Sequence, residues 1–136
     1  MSLLACDPEE QHSPDFAESP LTLICEGLLG EDLPQFRHEI NLALQAQDLY
    51  LTDIERQMFH GGKKIRPVVM MLAARMVAGP APLDPKIHKG AASLEMLHVA
   101  TLIHDDIVDD APLRRGVPSV SAARGIKTAL LVGDLQ

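Results

Sequence analysis

Apolar residues recur along most of the chain at the three- and four-residue spacing that gives a helix one apolar face. This spacing predicts helices over residues 20–29, 33–46, 51–59 and 68–77. In the second of these, the apolar positions are Leu33, Phe36, Ile40 and Leu44. Residues 1–19 are polar and broken by two prolines, so we expect a flexible leader there and one all-α folded domain over residues 20–136.

The longest predicted helix begins at Pro85, because Asp84 is a favourable N-cap and proline fits the first helical position. It should run for about 25 residues, or nearly 40 Å at the helical rise of 1.5 Å per residue. It ends in an acidic cluster with four carboxylates within six residues. Two shorter helices are predicted after it, one ending at Gly125 and one beginning at Ile126.

The acidic cluster is unfavourable at the end of a helix. Asp105 and Asp109 lie one turn apart on one face, with Asp106 about a quarter-turn away, and the C-terminus of a helix is already its negative pole. A Mg²⁺ ion removes this cost, because it binds one or two carboxylates and completes its shell with water and phosphate oxygens. Arg114 and Arg115 follow with planar donors suited to phosphate. The cluster predicts a diphosphate and metal site; the alternative is a solvated helix end.

A second candidate site is the run of residues 60–67, His-Gly-Gly-Lys-Lys-Ile-Arg-Pro. Its glycines permit a sharp turn, while Lys63 and Arg66 put positive charge near a helix start, where free N–H groups favour anions. An anion site and an ordinary interhelical turn both remain open, and the spacing of a P-loop is absent. His98 lies two turns before Asp105 and can line the same cavity, although a lone histidine at such a position is more often a core residue.

Composition narrows the class of protein. The chain has 136 residues, 46% of them apolar and only 3% aromatic, which favours helices over a sheet sandwich. A net charge of −7 argues against a nucleic-acid partner or a general affinity for anionic membranes. We expect no stable membrane insertion, because no apolar run reaches the roughly 18 residues of a membrane span. Neither a signal peptide nor a disulfide pattern is visible, so the expected location is cytoplasmic.

Three motifs stand out by their order and spacing. They are GGKKIRP at residues 61–67, HVATLIHDDIVDD at 98–110 and LRRGVPS at 113–119. Together they resemble the motifs of the trans-isoprenyl diphosphate synthases, also called polyprenyl synthetases. The resemblance implies an isoprenoid synthase-like helical bundle, present here as its N-terminal half, and usually a homodimer. It also implies a Mg²⁺-dependent condensation of isopentenyl diphosphate with an allylic prenyl diphosphate.

The resemblance assigns a role to each matching residue. Asp105, Asp106 and Asp109 match the first aspartate-rich motif, which binds Mg²⁺, and Asp105 and Asp109 are the first choices as direct ligands. Arg114 matches the arginine that holds the allylic diphosphate. The residues that match positions binding isopentenyl diphosphate are Gly62, Lys63, Arg66, His98 and Arg115.

Product length and completeness are further expectations. In the family, bulky aromatics four or five residues before the first aspartate limit product length, and Ala100 and Thr101 are both small, which predicts a product of geranylgeranyl length or longer. No second aspartate-rich motif occurs, and the sequence stops within the helix that begins at Ile126. We therefore expect a fragment that alone turns over little or nothing. The alternatives are a non-catalytic half-length partner or regulatory subunit of a complete synthase, and another Mg²⁺-dependent helical enzyme, such as a head-to-head prenyltransferase or a phosphohydrolase.

Overall fold

The computed structural model describes Cys25 and residues 27–136. The predicted leader over residues 1–19, and most of the helix predicted over residues 20–29, lie outside the described residues. Residues 27–29 are helical. The elements that follow are α1 (Asp32–Gln45), α2 (Asp53–His60), α3 (Ile65–Ala78), α4 (Pro85–Val108), β1 (Leu113–Arg114), β2 (Val117–Pro118), α5 (Val120–Arg124) and α6 (Ile126–Asp134).

The helices begin and end close to the predicted positions. Helix α2 starts after Thr52, whose backbone N–H donates to the Glu55 carboxylate at 2.8 Å in a capping box. Helix α3 begins at Ile65, three residues earlier than predicted. Pro67 lies in the first turn of this helix, where proline is tolerated because its missing N–H would have no intrahelical partner.

Helix α4 is the centre of the fold and matches the prediction for the long helix. Its 24 residues start at Pro85, and the Asp84 side chain accepts a hydrogen bond from the Lys86 backbone N–H at 2.8 Å. It packs against α1, α3 and α6. The apolar positions of α4 that are buried in this core are Ala91, Ala92, Met96, Val99 and Ile103.

The predicted apolar face of α1 is confirmed. Phe36, Ile40 and Leu44 are buried in the core against α4, and Leu33 is partly buried beside them. Because these side chains recur every three to four residues, they form the face that α1 turns toward α4.

A short hairpin interrupts the helices and was not predicted. Arg114 pairs with Val117 in an antiparallel ladder. The two turn residues between them, Arg115 and Gly116, both have positive φ, 51° and 82°. Two consecutive positive φ values are typical of a type I′ turn, whose twist matches that of the two strands. The fold class is otherwise the all-α class expected from the sequence.

A buried polar cluster joins three helices at one end of the bundle. Asp32 of α1 accepts hydrogen bonds from Arg75 of α3 and from His88 of α4, whose Nε2 lies 2.9 Å from its Oδ1. Burial raises the pKa of Asp32, but the hydrogen bonds from His88 and Arg75 outweigh it and hold that pKa below its ordinary value. His88 is therefore a core histidine whose Nε2 has a buried partner.

Among the described residues, no helix combines the length and the apolar character that crossing a lipid bilayer requires.

Candidate active site

One cavity of about 600 Å³ opens between the α2–α3 loop, the middle of α4 and the hairpin. Every residue that the sequence analysis assigned to substrate binding lies on its wall. These residues are Gly62, Lys63, Arg66, His98, Arg114 and Arg115. Residues of three motifs, as far apart in the sequence as Gly62 and Arg115, therefore meet in a single cavity.

Gly62 and Arg115 bring the loop and the hairpin together. Gly62 has a φ of 83°, which favours glycine, and a Cβ built there would lie 3.2 Å from Nη1 of Arg115. The Arg115 guanidinium thus lies so close to Gly62 that a side chain at position 62 would crowd it. The glycine permits both the turn and this close approach.

Arg66 and His98 form a second link between the loop side of the cavity and α4. Nη1 of Arg66 lies 3.1 Å from Nε2 of His98. Because a guanidinium has donors but no acceptor, Nε2 must accept, which assigns the ring proton of a neutral His98 to Nδ1. His98 lines this cavity, whereas Asp105, which was expected to share a cavity with His98, does not lie on the described wall.

The three acids of the first aspartate-rich motif are separated by the fold. Asp106 is buried, with 3% of its surface exposed, and receives two hydrogen bonds of 2.7 Å from Nε and Nη2 of Arg114. This bond raises the pKa of the Arg114 guanidinium, with smaller contributions from Asp105 and Asp109. The carboxylates of Asp105 and Asp109 are exposed. The three acids look alike in the sequence, but Asp106 is buried whereas Asp105 and Asp109 are exposed.

Asp105 and Asp109 fit a hard divalent cation. The backbone N–H of Asp109 donates to the Asp105 carbonyl at 2.8 Å, so the two residues lie one turn apart, and both are exposed. Mg²⁺ usually takes one or two protein carboxylates and leaves its other positions to water and phosphate. Accordingly, no group of three or more acid, histidine or cysteine side chains among the described residues is arranged to hold a metal by itself.

The two residues assigned to product length lie on α4 but outside the cavity wall of the described chain. Ala100 is buried, while Thr101 is exposed and its Oγ1 donates to the His98 carbonyl at 2.7 Å. The charged residues on the cavity wall to which no role was assigned from the sequence are Lys64 and Glu95. The signal that could have identified Glu95 is that it is a glutamate within the apolar run of α4.

Comparison with known proteins agrees with these motifs. The polyprenyl synthetase family matches residues 48–136. Heptaprenyl diphosphate synthase component 2 of Geobacillus stearothermophilus is 39% identical over 107 residues, which are 78% of this chain and 32% of that protein. Nonaprenyl diphosphate synthase of Mycobacterium tuberculosis is 40% identical over 92 residues, 67% of this chain and 27% of that protein.

Solved structures give the same result. A decaprenyl diphosphate synthase from Rhodobacter capsulatus matches with a TM-score of 0.65 and 30% identity, over 82% of this chain and 34% of that one. A polyprenyl synthase from Caulobacter crescentus, complexed with calcium and isoprenyl diphosphate, matches with a TM-score of 0.60 and 32% identity, over 82% and 33%. The chain spans about a third of the length of these relatives. Since the family match covers most of the chain and the helical fold is shared, the chain belongs to the polyprenyl synthetase family.

Proposed function

We propose that this chain forms the substrate-binding and first metal-binding part of a trans-polyprenyl diphosphate synthase. The observation that carries the proposal is the cavity, in which Lys63, Arg66 and Arg115 converge although the chain as a whole has a net charge of −7. Positive side chains gathered in one cavity of an acidic protein are suited to a strongly anionic ligand, and diphosphate is such a ligand.

The first substrate in this proposal is isopentenyl diphosphate. Lys63, Arg66 and Arg115 bind its diphosphate, and Gly62 allows the backbone and Arg115 to approach closely. His98 is held in place by Arg66 and lines the same cavity. The apolar part of the substrate lies against the apolar wall of the cavity, which includes Ile54, Met58, Val99 and Leu102.

The second substrate is an allylic prenyl diphosphate. Asp105 and Asp109 would hold Mg²⁺, which would neutralise the diphosphate as the allylic C–O bond breaks. Arg114 keeps N–H groups that its bond to Asp106 does not use, and these can donate to the same leaving group. The double bond of isopentenyl diphosphate then attacks the carbocation, a proton is lost, and the apolar wall excludes water that would quench the cation.

In this proposal Asp106 positions Arg114. Its buried bidentate bond to Arg114 supports a positioning role, in which it orients that guanidinium toward the leaving group. The metal-binding role that the resemblance implies for Asp106 stays a prediction.

The finer features of the function are proposals as well. Ala100 and Thr101 are small, which supports a product of geranylgeranyl length or longer. The chain contains one aspartate-rich motif, and the resemblance implies a second, so we propose that these 136 residues alone turn over little or nothing. We propose a homodimer in the cytoplasm. One matched relative is named as a component of its synthase, so a complementary subunit is the alternative partner.

Binding of isopentenyl diphosphate tests the cationic cavity directly. Titration calorimetry on the 136-residue chain should detect binding that Arg66→Met weakens about tenfold or more, because a charge-assisted contact to the diphosphate is lost. Arg56→Met is the matched control, since Arg56 pairs with Asp48 and does not line the cavity. Equal affinity of the wild type and Arg66→Met, or an equal loss in the control, would contradict this assignment.

A further inference from the structure

Lys64 has an unusual backbone conformation. Its φ of 51° and ψ of 33° lie in the left-handed region, directly before the first residue of α3. Glycine adopts this conformation without a steric penalty, whereas a residue with a Cβ does not. A lysine here is therefore favoured only if its side chain offsets the strain.

The Lys64 side chain joins three parts of the site. Its Nζ donates to the Gly61 carbonyl at 2.6 Å, to the Phe59 carbonyl, and to Oε1 of Glu95 at 2.9 Å. An ammonium group has three N–H bonds, so these acceptors use all of them. The two carbonyls lie at the C-terminal end of α2, where backbone oxygens lack helical partners and a cation is favoured.

Glu95 is the partner of Lys64 on α4. It is buried, with 5% of its surface exposed, and a buried carboxylate is unfavourable without a compensating partner. Lys64 forms the ion pair that compensates it. Glu95 lies one helical turn before His98, which contacts Arg66. The Lys64–Glu95 and Arg66–His98 contacts thus link the loop and the start of α3 to two adjacent turns of α4.

We propose that Lys64 and Glu95 are positioning residues that hold the turn of Gly61, Gly62 and Lys63 in its ligand-binding shape. This inference rests on the proposed diphosphate-binding function. Lys64 does not bind the diphosphate itself, because its three N–H bonds are used by Glu95 and the two carbonyls. Lys63, which lines the same cavity, is the lysine that the proposed function assigns to the diphosphate.

The Glu95→Gln variant separates a positioning role from direct binding. If Lys64 were a ligand, removal of the competing carboxylate would free it and strengthen anion binding. In a positioning pair the same isosteric change loosens the turn, and affinity for inorganic pyrophosphate, measured by calorimetry on the 136-residue chain, should fall about tenfold, as for other residues that support a ligand-binding group. Unchanged or tighter binding by Glu95→Gln overturns the proposal.

Two variants of Lys64 extend the test. Lys64→Met removes the charge, and Lys64→Gly also relieves the backbone strain. Both should weaken pyrophosphate binding to the same extent as Glu95→Gln, and both should shift the amide resonances of Gly61 and Gly62 before pyrophosphate is added. Wild-type affinity in Lys64→Gly would mean that the turn needs only its backbone conformation, which overturns the proposal.

The control is Asp48→Asn, which breaks the Asp48–Arg56 pair away from the cavity and should leave affinity unchanged. The same titrations separate this inference from the proposed function. No binding of pyrophosphate by the wild-type chain contradicts both. Binding by the wild type that Glu95→Gln leaves unaltered contradicts the positioning pair alone.

Discussion

Thr101 and Ala100 are neighbours on α4 with different surroundings. Ala100 is 6% exposed and packed in the interior, whereas Thr101 is exposed and contacts the His98 carbonyl through its hydroxyl. A phenylalanine at Ala100 would overpack the interior, so its effect on the product could not be separated from its effect on stability. Thr101 is the position at which side-chain size can be changed with least effect on the fold.

We expect Thr101→Phe, in an active synthase that contains this segment, to shift the products toward shorter chains. An aromatic ring one turn before the acidic motif occupies space along α4 that the growing prenyl chain would use. Chromatography of the products after hydrolysis of the diphosphate measures the shift, with Thr101→Ser as the control of similar size. Identical product distributions for Thr101→Phe and the wild type would remove the proposed role of this position.

Asp106 shows the limit of prediction at the level of single residues. Helix geometry correctly sets Asp106 apart from the pair Asp105 and Asp109. The burial of Asp106, however, depends on its hydrogen bonds with Arg114, and Arg114 lies in the hairpin, which was not predicted. Side chains that depend on a long-range partner of this kind could not be assigned from their spacing alone.

At the level of elements, an ion pair between Arg124 of α5 and the buried Glu55 of α2 joins the two helices. Glu55 is fully buried and accepts hydrogen bonds from Thr52 and from Nη1 of Arg124, which also donates to the Tyr50 carbonyl at 3.0 Å. Burial raises the pKa of Glu55, but the hydrogen bonds from Thr52 and Arg124 outweigh it, and the pKa lies below its ordinary value of 4.5. Asp32 has the same balance, with an ordinary value of 3.8.

These lowered pKa values predict how stability depends on pH. Both carboxylates are ionised in the folded chain at pH values where the unfolded chain has begun to bind protons, so their contribution is complete above about pH 5. It is lost as the pH falls through 4.5 and 3.8 toward the lower folded values. Urea unfolding between pH 7 and pH 3 should therefore show a falling free energy of unfolding.

The Glu55→Gln variant tests the contribution of one group. Because it leaves Arg124 without its buried charged partner, we expect it to lower the free energy of unfolding at pH 7 by about 3 kcal/mol. It should also show a shallower decrease below pH 5 than the wild type. Asp48→Asn, at an exposed ion pair, serves as the control. A pH profile of Glu55→Gln parallel to that of the wild type would contradict the assignment.

At the level of the whole molecule, the helices were largely predictable and the contacts between them were not. Strong apolar periodicity predicted α1, and the Asp84–Pro85 pair predicted the start of α4, because both signals are local. The hairpin and the Lys64–Glu95 pair depend on groups brought together by the fold. The motifs nevertheless predicted the cavity wall, since Gly62, His98 and Arg115 all lie on it.

The distribution of charge gives the molecule its proposed chemistry. The cavity gathers positive side chains, and the exposed carboxylates of Asp105 and Asp109 lie at the end of the helix that forms one wall. In the proposed function, a divalent cation held by Asp105 and Asp109 would neutralise the diphosphate of the allylic substrate, to which Arg114 also donates. The central claim is therefore that anion and cation binding are coupled.

Titration of an allylic prenyl diphosphate into the chain, with and without Mg²⁺, tests this claim most directly. We predict binding that requires Mg²⁺ and is weakened more than about tenfold in the double variant Asp105→Asn/Asp109→Asn, because the carboxylates that would hold the cation are lost. Asp110→Asn is the control, since Asp110 is an exposed acid of the same cluster to which no ligand role is assigned, and asparagine tolerates its φ of 49°. Binding that is independent of Mg²⁺, or unchanged in the double variant, would contradict the account.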